Sequence, residues 1–373
     1  MAQGMARRHR DVALGGVLAG LLMACAGAYA VDTAAEPRVE TGTLAGAPYR
    51  FEIPRDWNGE LVVLLHGYEP RGVPRADPWP ANEATPVFLA RGYAVAESGY
   101  AEQGWAVAAA VDDSERLRAH LATRHALRRS WLVGFSMGGQ AALASLERHG
   151  DRYDGALSLC GANVPATRMF EDAQRALVAF DVFFPEAGLP GRGLSDPAAP
   201  PLDDLPSDQI ALMQAIGAAL ASDTEAAAAL ATALEVPTEG LTGTLGLYAL
   251  VLREMTARTG GLPVDNRDTV YAGFGDDAAF NAAAPRYRGD TRAMAQLARV
   301  ADLDGRIERP VVLRYNQDDP TITARLQGIY PVLVQAAGRS RNLTVLPPAG
   351  EGHCGFSPAQ IDEAFGALTS TVR

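Results

Sequence analysis

The stretch WLVGFSMGGQAAL, Trp131 to Leu143, decides how the rest of the chain is read. An apolar run leads into Ser136, glycines flank the serine, and an alanine-rich segment follows. A continuous apolar run suits a strand buried on both faces, and the alanine-rich run suits a helix. Gly134-Phe135-Ser136-Met137-Gly138 therefore matches G-x-S-x-G at a strand-to-helix turn. A side chain at Gly134 or Gly138 would crowd the strand or helix beside the serine. The N–H of Met137 then sits at a helix N-terminus, aimed at charge developing on a carbonyl oxygen.

Outward from that turn the same pattern repeats. ELVVLLHG (Glu60–Gly67), YAVAES (Tyr93–Ser98) and GALSLCG (Gly155–Gly161) read as buried strands, and GTLAGAPYRFEIP (Gly42–Pro54) as two short strands around a glycine turn. DDSERLRAHLATRHAL (Asp112–Leu127) has helical spacing, with acidic residues at the end where the helix dipole favours them. Strands alternating with helices imply a mostly parallel central sheet with helices on both faces. The rhythm stops near Asn163. Alanine-rich helical segments and a Pro/Gly-rich loop (Phe183–Pro206) fill the chain to about Val300. Strands at Arg309–Asn316 and Asn342–Pro348, a helix over Thr323–Ala337 and a last helix from Ser357 resume the pattern. The expected organisation is a core over 42–162 and 301–373, with 163–300 as a helical insertion, either a lid or a packed subdomain.

The first 30 residues do not read as fold. Arg7, Arg8 and Arg10 form a positive region, Val12–Met23 a short apolar one, and Ala28-Tyr29-Ala30 an A-x-A cleavage site. Residues 1–30 are expected to be a signal peptide, with 31–41 a linker, so the mature domain is secreted or periplasmic. The alternative reads LMAC as a lipobox, with the protein lipid-anchored to the membrane through Cys25. The net charge of −11 argues against nucleic acid as a partner. The chain contains no lysine, which excludes a lysine nucleophile or Schiff base. No His/Cys cluster suggests a metal, and DLDGR (Asp302–Arg306) lacks a calcium-loop frame. No phosphate-cradling loop is visible, so no cofactor is expected.

A serine hydroxyl needs a base to become a nucleophile. Of the histidines after the signal region, His120 and His125 lie on a helix and His149 at a helix C-terminus. His66 ends the first buried strand, and His353 sits in the glycine-rich loop PAGEGHCGF after the last strand. A loop there can carry an imidazole over the C-terminal ends of the central strands, which favours His353. The base in turn needs an orienting carboxylate. Asp318 and Asp319 follow the penultimate strand; Asp319 is preferred, with Asp318 the alternative. The amide of Tyr68, after Gly67 in HGY, is placed to be the second oxyanion donor beside Met137.

Taken together, His66-Gly67, Gly134–Gly138, Asp319-Pro320 and Gly352-His353 resemble the α/β-hydrolase superfamily of serine hydrolases in order and spacing. The resemblance covers about Gly42–Ala162 and Arg309–Arg373. GYAVAESGYAEQGWA (Gly92–Ala106) is similar to the corresponding segment of secreted esterases and prolyl-oligopeptidase-like peptidases. Phe135 departs from the tannase-like branch, which carries cysteine there. The resemblance implies an α/β-hydrolase fold, a Ser136–His353–Asp319 triad and a lid in the insertion. Cys160 ends the strand after the nucleophile helix, at the sheet edge that carries the histidine loop. A Cys160–Cys354 disulfide would therefore fix the base, two separate buried thiols being the alternative. Tyr100 and Trp105 are candidates to line the substrate site, as are Trp79, Phe183, Phe184 and Phe274. The expected activity is hydrolysis of a carboxylic ester, from a small-molecule or polymer-derived acyl substrate. A peptidase is the rival, for which Glu97 and Glu102 would have to read an amine, and a non-catalytic binding protein on the same fold is the remaining alternative.

Overall fold

A computed structural model of the chain describes residues 36–189, 192–199 and 206–372. The expected signal peptide and Cys25 lie outside the described residues. The first strands, β1 (Arg38–Leu44) and β2 (Ala47–Ile53), form a hairpin that turns at Ala45-Gly46. Strand therefore begins at Arg38, inside the segment expected to be linker, because Arg38 to Thr41 pair with Arg50 to Ile53.

The alternating pattern then follows: β3 (Glu60–Leu65), α1 (Thr85–Leu89), β4 (Ala94–Ser98), α2 (Val107–Ala122), β5 (Arg129–Phe135), α3 (Met137–His149) and β6 (Gly155–Leu159). After the insertion come β7 (Val311–Arg314), α10 (Ala324–Gln327), α11 (Ile329–Ala336), β8 (Leu343–Val345) and α12 (Pro358–Thr369). The strands form one eight-stranded sheet in the order β1-β2-β4-β3-β5-β6-β7-β8. β2 runs antiparallel to both of its neighbours, and every other pair is parallel. Side chains alternate across the sheet, as strand geometry requires. Leu61, Val63 and Leu65 of β3 enter the core shared with α2 and α3, whereas Val62 and Leu64 enter the core built with Phe88 of α1 and Phe365 of α12. Covering both faces explains the unbroken apolar runs in the sequence.

Several element boundaries differ from the sequence expectations for identifiable reasons. α2 begins at Val107, not Asp112, because Val107, Ala110 and Val111 pack into the core. Asp113 consequently lies inside the helix, where it pairs with Arg116 and accepts the Ala101 N–H at 2.7 Å. The helix expected over Thr323–Ala337 is split at Gly328 into α10 and α11.

The insertion contributes α4 (Ala166–Phe183), α5 (Pro206–Ser222), α6 (Thr224–Leu234), α7 (Leu241–Thr259), α8 (Asp277–Ala283) and α9 (Thr291–Ala301). Asp223 divides α5 from α6 and caps the latter, accepting the Ala226 N–H at 2.9 Å. The two ends of the insertion meet: the Asp302 carboxylate accepts the Thr167 N–H at 2.8 Å. The expected turn around Asp302 thus closes the insertion onto the core.

Candidate active site

β5 delivers Ser136 to the C-terminal edge of the sheet. Its backbone has φ 55° and ψ −121°, a conformation that non-glycine residues rarely adopt. The neighbours hold that strain. Ser136 N–H donates to the Leu159 carbonyl at 3.2 Å, and the Ser136 carbonyl accepts from Gly139 at 2.9 Å and Ala162 at 3.1 Å. A Cβ on Gly134 would collide with the Gly138 carbonyl, and one on Gly138 with the Leu65 carbonyl. The elbow can therefore form only with glycine at both positions. Gly67, at the end of β3, approaches so closely that a Cβ there would come within 3.2 Å of the Ser136 Cβ. That approach carries Tyr68 to Ser136. Met137 opens α3, so its N–H has no carbonyl one turn earlier to bond.

The loop after β8 brings His353 to the serine. His353 Nε2 lies 2.8 Å from Ser136 Oγ, and Nδ1 lies 2.9 Å from Asp319 Oδ2 and 3.1 Å from Oδ1. The Asp319 side chain is 1% exposed. Its Oδ1 also accepts the N–H groups of Thr321 at 2.8 Å and Ile322 at 3.0 Å, which fix the carboxylate independently of the histidine. Asp318, with φ 50°, is turned to solvent, and the bend it makes aims Asp319 inward.

Two supports were not singled out in the sequence. Asn316, buried at the end of β7, donates to the Ala349 carbonyl at 3.1 Å and accepts the Cys354 N–H at 2.9 Å, clamping both ends of the histidine loop. Its place between a buried strand and Asp318-Asp319 was the available signal. Glu254 of α7 accepts the Trp105 N–H at 2.9 Å and pairs with Arg258 at 2.7 Å. A position about 150 residues from Trp105 carries no local signal of that contact. Cys160 and Cys354 are joined by a disulfide with an S–S distance of 1.97 Å, which covalently ties the loop bearing His353 to the end of β6.

The remaining residues of interest separate into different places. His66 lies beneath the site, stacked on Tyr100 with ring centroids 4.0 Å apart, with Nδ1 2.9 Å from the Gly67 carbonyl. Burial pulls its proton affinity down to about 4, so it is neutral at ordinary pH. Tyr100 is fully buried and donates to the His66 carbonyl at 3.1 Å; it supports the site from below rather than lining it. Trp105 does line it. Phe183 and Phe274 pack with Phe280 inside the insertion, and Phe184 stacks on Phe180, all away from the serine. Glu102 is an exposed partner of Arg258. Glu97 is buried, accepts from Asn82 at 3.1 Å, and is pushed up to about 7 by desolvation.

Two cavities have Tyr68 in their walls. One, of about 60 Å³, contains Ser136 and is walled by apolar residues of α4, α7 and α10. The other, of about 610 Å³, is lined by residues that include His66, Trp79, Asn82, Glu83, Glu97 and Phe356. Burial raises the Tyr68 phenol, as does neighbouring Glu254, so it stays protonated. Among the described residues no group of three His, Cys, Asp or Glu side chains could hold a metal, and no helix is long and apolar enough to cross a membrane.

No family model matches the chain, and no curated protein matches it. Among solved structures it is similar to Est1E from Butyrivibrio proteoclasticus, at 12% identity over 89% of this chain and 98% of that one, with a TM-score of 0.47. It is also similar to proline iminopeptidase from Mycobacterium smegmatis, at 15% identity over 90% and 98%, with a TM-score of 0.43. Strand order β1-β2-β4-β3-β5-β6-β7-β8, a reversed β2, a serine elbow between β5 and α3, and acid and histidine loops after β7 and β8 make this the α/β-hydrolase fold.

Proposed function

We propose that the protein is a serine hydrolase that cleaves carboxylic esters through an acyl-enzyme. The supporting observation is the continuous chain from Ser136 Oγ to His353 Nε2 at 2.8 Å and from Nδ1 to Asp319 at 2.9 Å. Asp319 holds the tautomer with the proton on Nδ1, which leaves Nε2 free to accept. Ser136 Oγ attacks the acyl carbonyl as its proton passes to Nε2. The amides of Met137 and Tyr68 stabilise the resulting oxyanion. His353 then returns the proton to the departing alkoxide, and water repeats the sequence on the acyl-enzyme. Release of an alcohol asks little of the leaving-group machinery. Nor, among the described residues, does a carboxylate pair line the cavity that holds Ser136 to read a peptide's amine: Glu102 is engaged at the surface and Glu97 is buried with Asn82.

Export to an oxidising compartment is part of the proposal. It rests on the leader-like N-terminus and is consistent with a disulfide in the fold. Labelling with a fluorophosphonate tests the nucleophile: wild type is labelled and Ser136→Ala is not. An unlabelled, folded wild type overturns the assignment. A panel of p-nitrophenyl esters against aminoacyl and prolyl anilides then decides between ester and peptide, and turnover of anilides alone overturns the ester reading.

A further inference from the structure

A third cavity lies within the helical insertion, between α4 and the segment that joins α7 to α8. We propose that it is a binding site for a small carboxylate that also carries a neutral amide, separate from the cavity that holds Ser136.

The site stands on a buried amide with nothing to bond. Gln174 of α4 is 1% exposed and lines this cavity of about 280 Å³, and neither its Oε1 nor its Nε2 has a hydrogen-bond partner. A carboxamide carries two N–H donors and an acceptor, and leaving them unanswered inside a fold is costly. Protein interiors pair such groups almost without exception, so an unpaired one in a cavity wall marks where an occupant supplies the partner. The volume is at the low end for ligand cavities, which limits the occupant to a small molecule.

The charge of that occupant follows from the arginines. Three carboxylates line the cavity, and each already has a guanidinium: Asp172 has Arg325 at 2.5 Å, Asp265 has Arg267 at 2.8 Å and Glu171 has Arg168 at 3.4 Å. Arg175 is the remaining charge in the wall, and among the described residues it forms no ion pair. Its Nη2 donates to the carbonyls of Ala233 at 3.3 Å and Ala272 at 3.4 Å, and its guanidinium lies over the Phe274 ring at 4.6 Å. Burial lowers the guanidinium from its ordinary value, with the fields of Asp172 and Glu235 opposing. The cavity is thus left with one positive charge in excess.

A carboxylate on Arg175 supplies the missing charge, and an amide beside it offers the Gln174 head a carbonyl and an N–H together. A cation would add to the excess charge, and an apolar molecule would leave Gln174 unanswered. The serine is not part of this site. α4 gives Met169, Phe170 and Ala173 to the Ser136 cavity, but the two cavities share no lining residue.

The probes are succinamate, which has both groups, succinamide, which lacks the charge, and β-alaninamide, which reverses it. In ligand-detected NMR titrations of the full chain, succinamate should bind with a Kd on the order of 1 mM, and the other two at least about tenfold more weakly. Arg175→Gln and Gln174→Met should each weaken succinamate at least about tenfold. Gln174→Met should also raise the Tm of the unliganded protein by about 1 to 3 °C, because it removes an unanswered amide from the interior. Modification of Ser136 by a fluorophosphonate should leave the Kd within about twofold. No saturable binding up to about 20 mM, the outcome if water alone answers Gln174, overturns the proposal. So does β-alaninamide binding as tightly as succinamate, a Kd unmoved in both variants, a lower Tm in Gln174→Met, or binding lost on modification of Ser136. A protein that takes no fluorophosphonate label fails the earlier reading instead, and the three probes and two variants then decide this one.

Discussion

Removing the Cys160–Cys354 bond tests how the loop carrying His353 is held. The two cysteines are 194 residues apart in sequence. Loop-closure entropy for a ring of that size amounts to about 5 kcal/mol at 25 °C, nearly all of it exerted on the unfolded chain. A folded unit of roughly 340 residues unfolds with an entropy of about 0.7 kcal/mol per kelvin, so the loss translates into a Tm lower by about 7 °C. The effect on the site should be smaller. Asn316 still clamps both ends of the loop, and Asp319 still receives Nδ1 of His353. The Cys160→Ala/Cys354→Ala double variant should therefore keep kcat within about tenfold of wild type while its Tm falls. Differential scanning calorimetry reads the first quantity, and ester turnover well below the lower Tm reads the second. Wild type reduced before heating should melt with the double variant. Two titratable thiols in the unfolded, unreduced mature protein, or a Tm unchanged within about 1 °C in the double variant, would refute the reasoning.

Two other outcomes follow from the same geometry. In Asp319→Asn the amide oxygen can keep the N–H groups of Thr321 and Ile322, which turns the amide N–H toward His353 Nδ1. The imidazole must then place its proton on Nε2, where it cannot receive one from Ser136. We expect kcat to drop by on the order of 10⁴ with Tm nearly unchanged, and a variant retaining a tenth of wild-type kcat contradicts the tautomer argument. Glu97 gives a pH signature. Its folded value, about 7, lies above the ordinary 4.5, so the folded state holds its proton more tightly than the unfolded chain. The associated stability is fully present below pH 4.5 and is lost as pH rises through 7, by roughly 1 to 3 kcal/mol in total. Glu97→Gln should flatten urea-denaturation stability between pH 5 and 8, and an identical pH slope in wild type and variant shows that Glu97 is not the group responsible.

Much of the core was legible because its signals are local. A strand buried on both faces must be apolar along its length, so β3, β5 and β6 stand out in the sequence. The elbow is legible for a similar reason: its backbone excludes a Cβ at Gly134 and Gly138, and that exclusion is written directly in residue identity. Chain order alone then put Asp319 and His353 on loops that leave the same sheet edge as Ser136. Boundaries were less secure where burial overrode charge, as at the start of α2. Tyr100 shows the limit for single aromatics, since nothing local distinguishes a ring that lines a pocket from one stacked under His66.

What the residues along the chain determined by themselves was the sheet, its crossovers and the serine turn, all of which follow from periodicity and from backbone sterics within a few positions. Only tertiary structure decided the shape of the space around Ser136. That space is made where α4, α7 and α10 converge, and is held by Glu254 on Trp105, Arg325 on Asp172 and Thr244 on Pro320. Those partners are separated by between 76 and 153 residues. Contacts across such distances depend on how whole helices pack, and no short window of sequence records them.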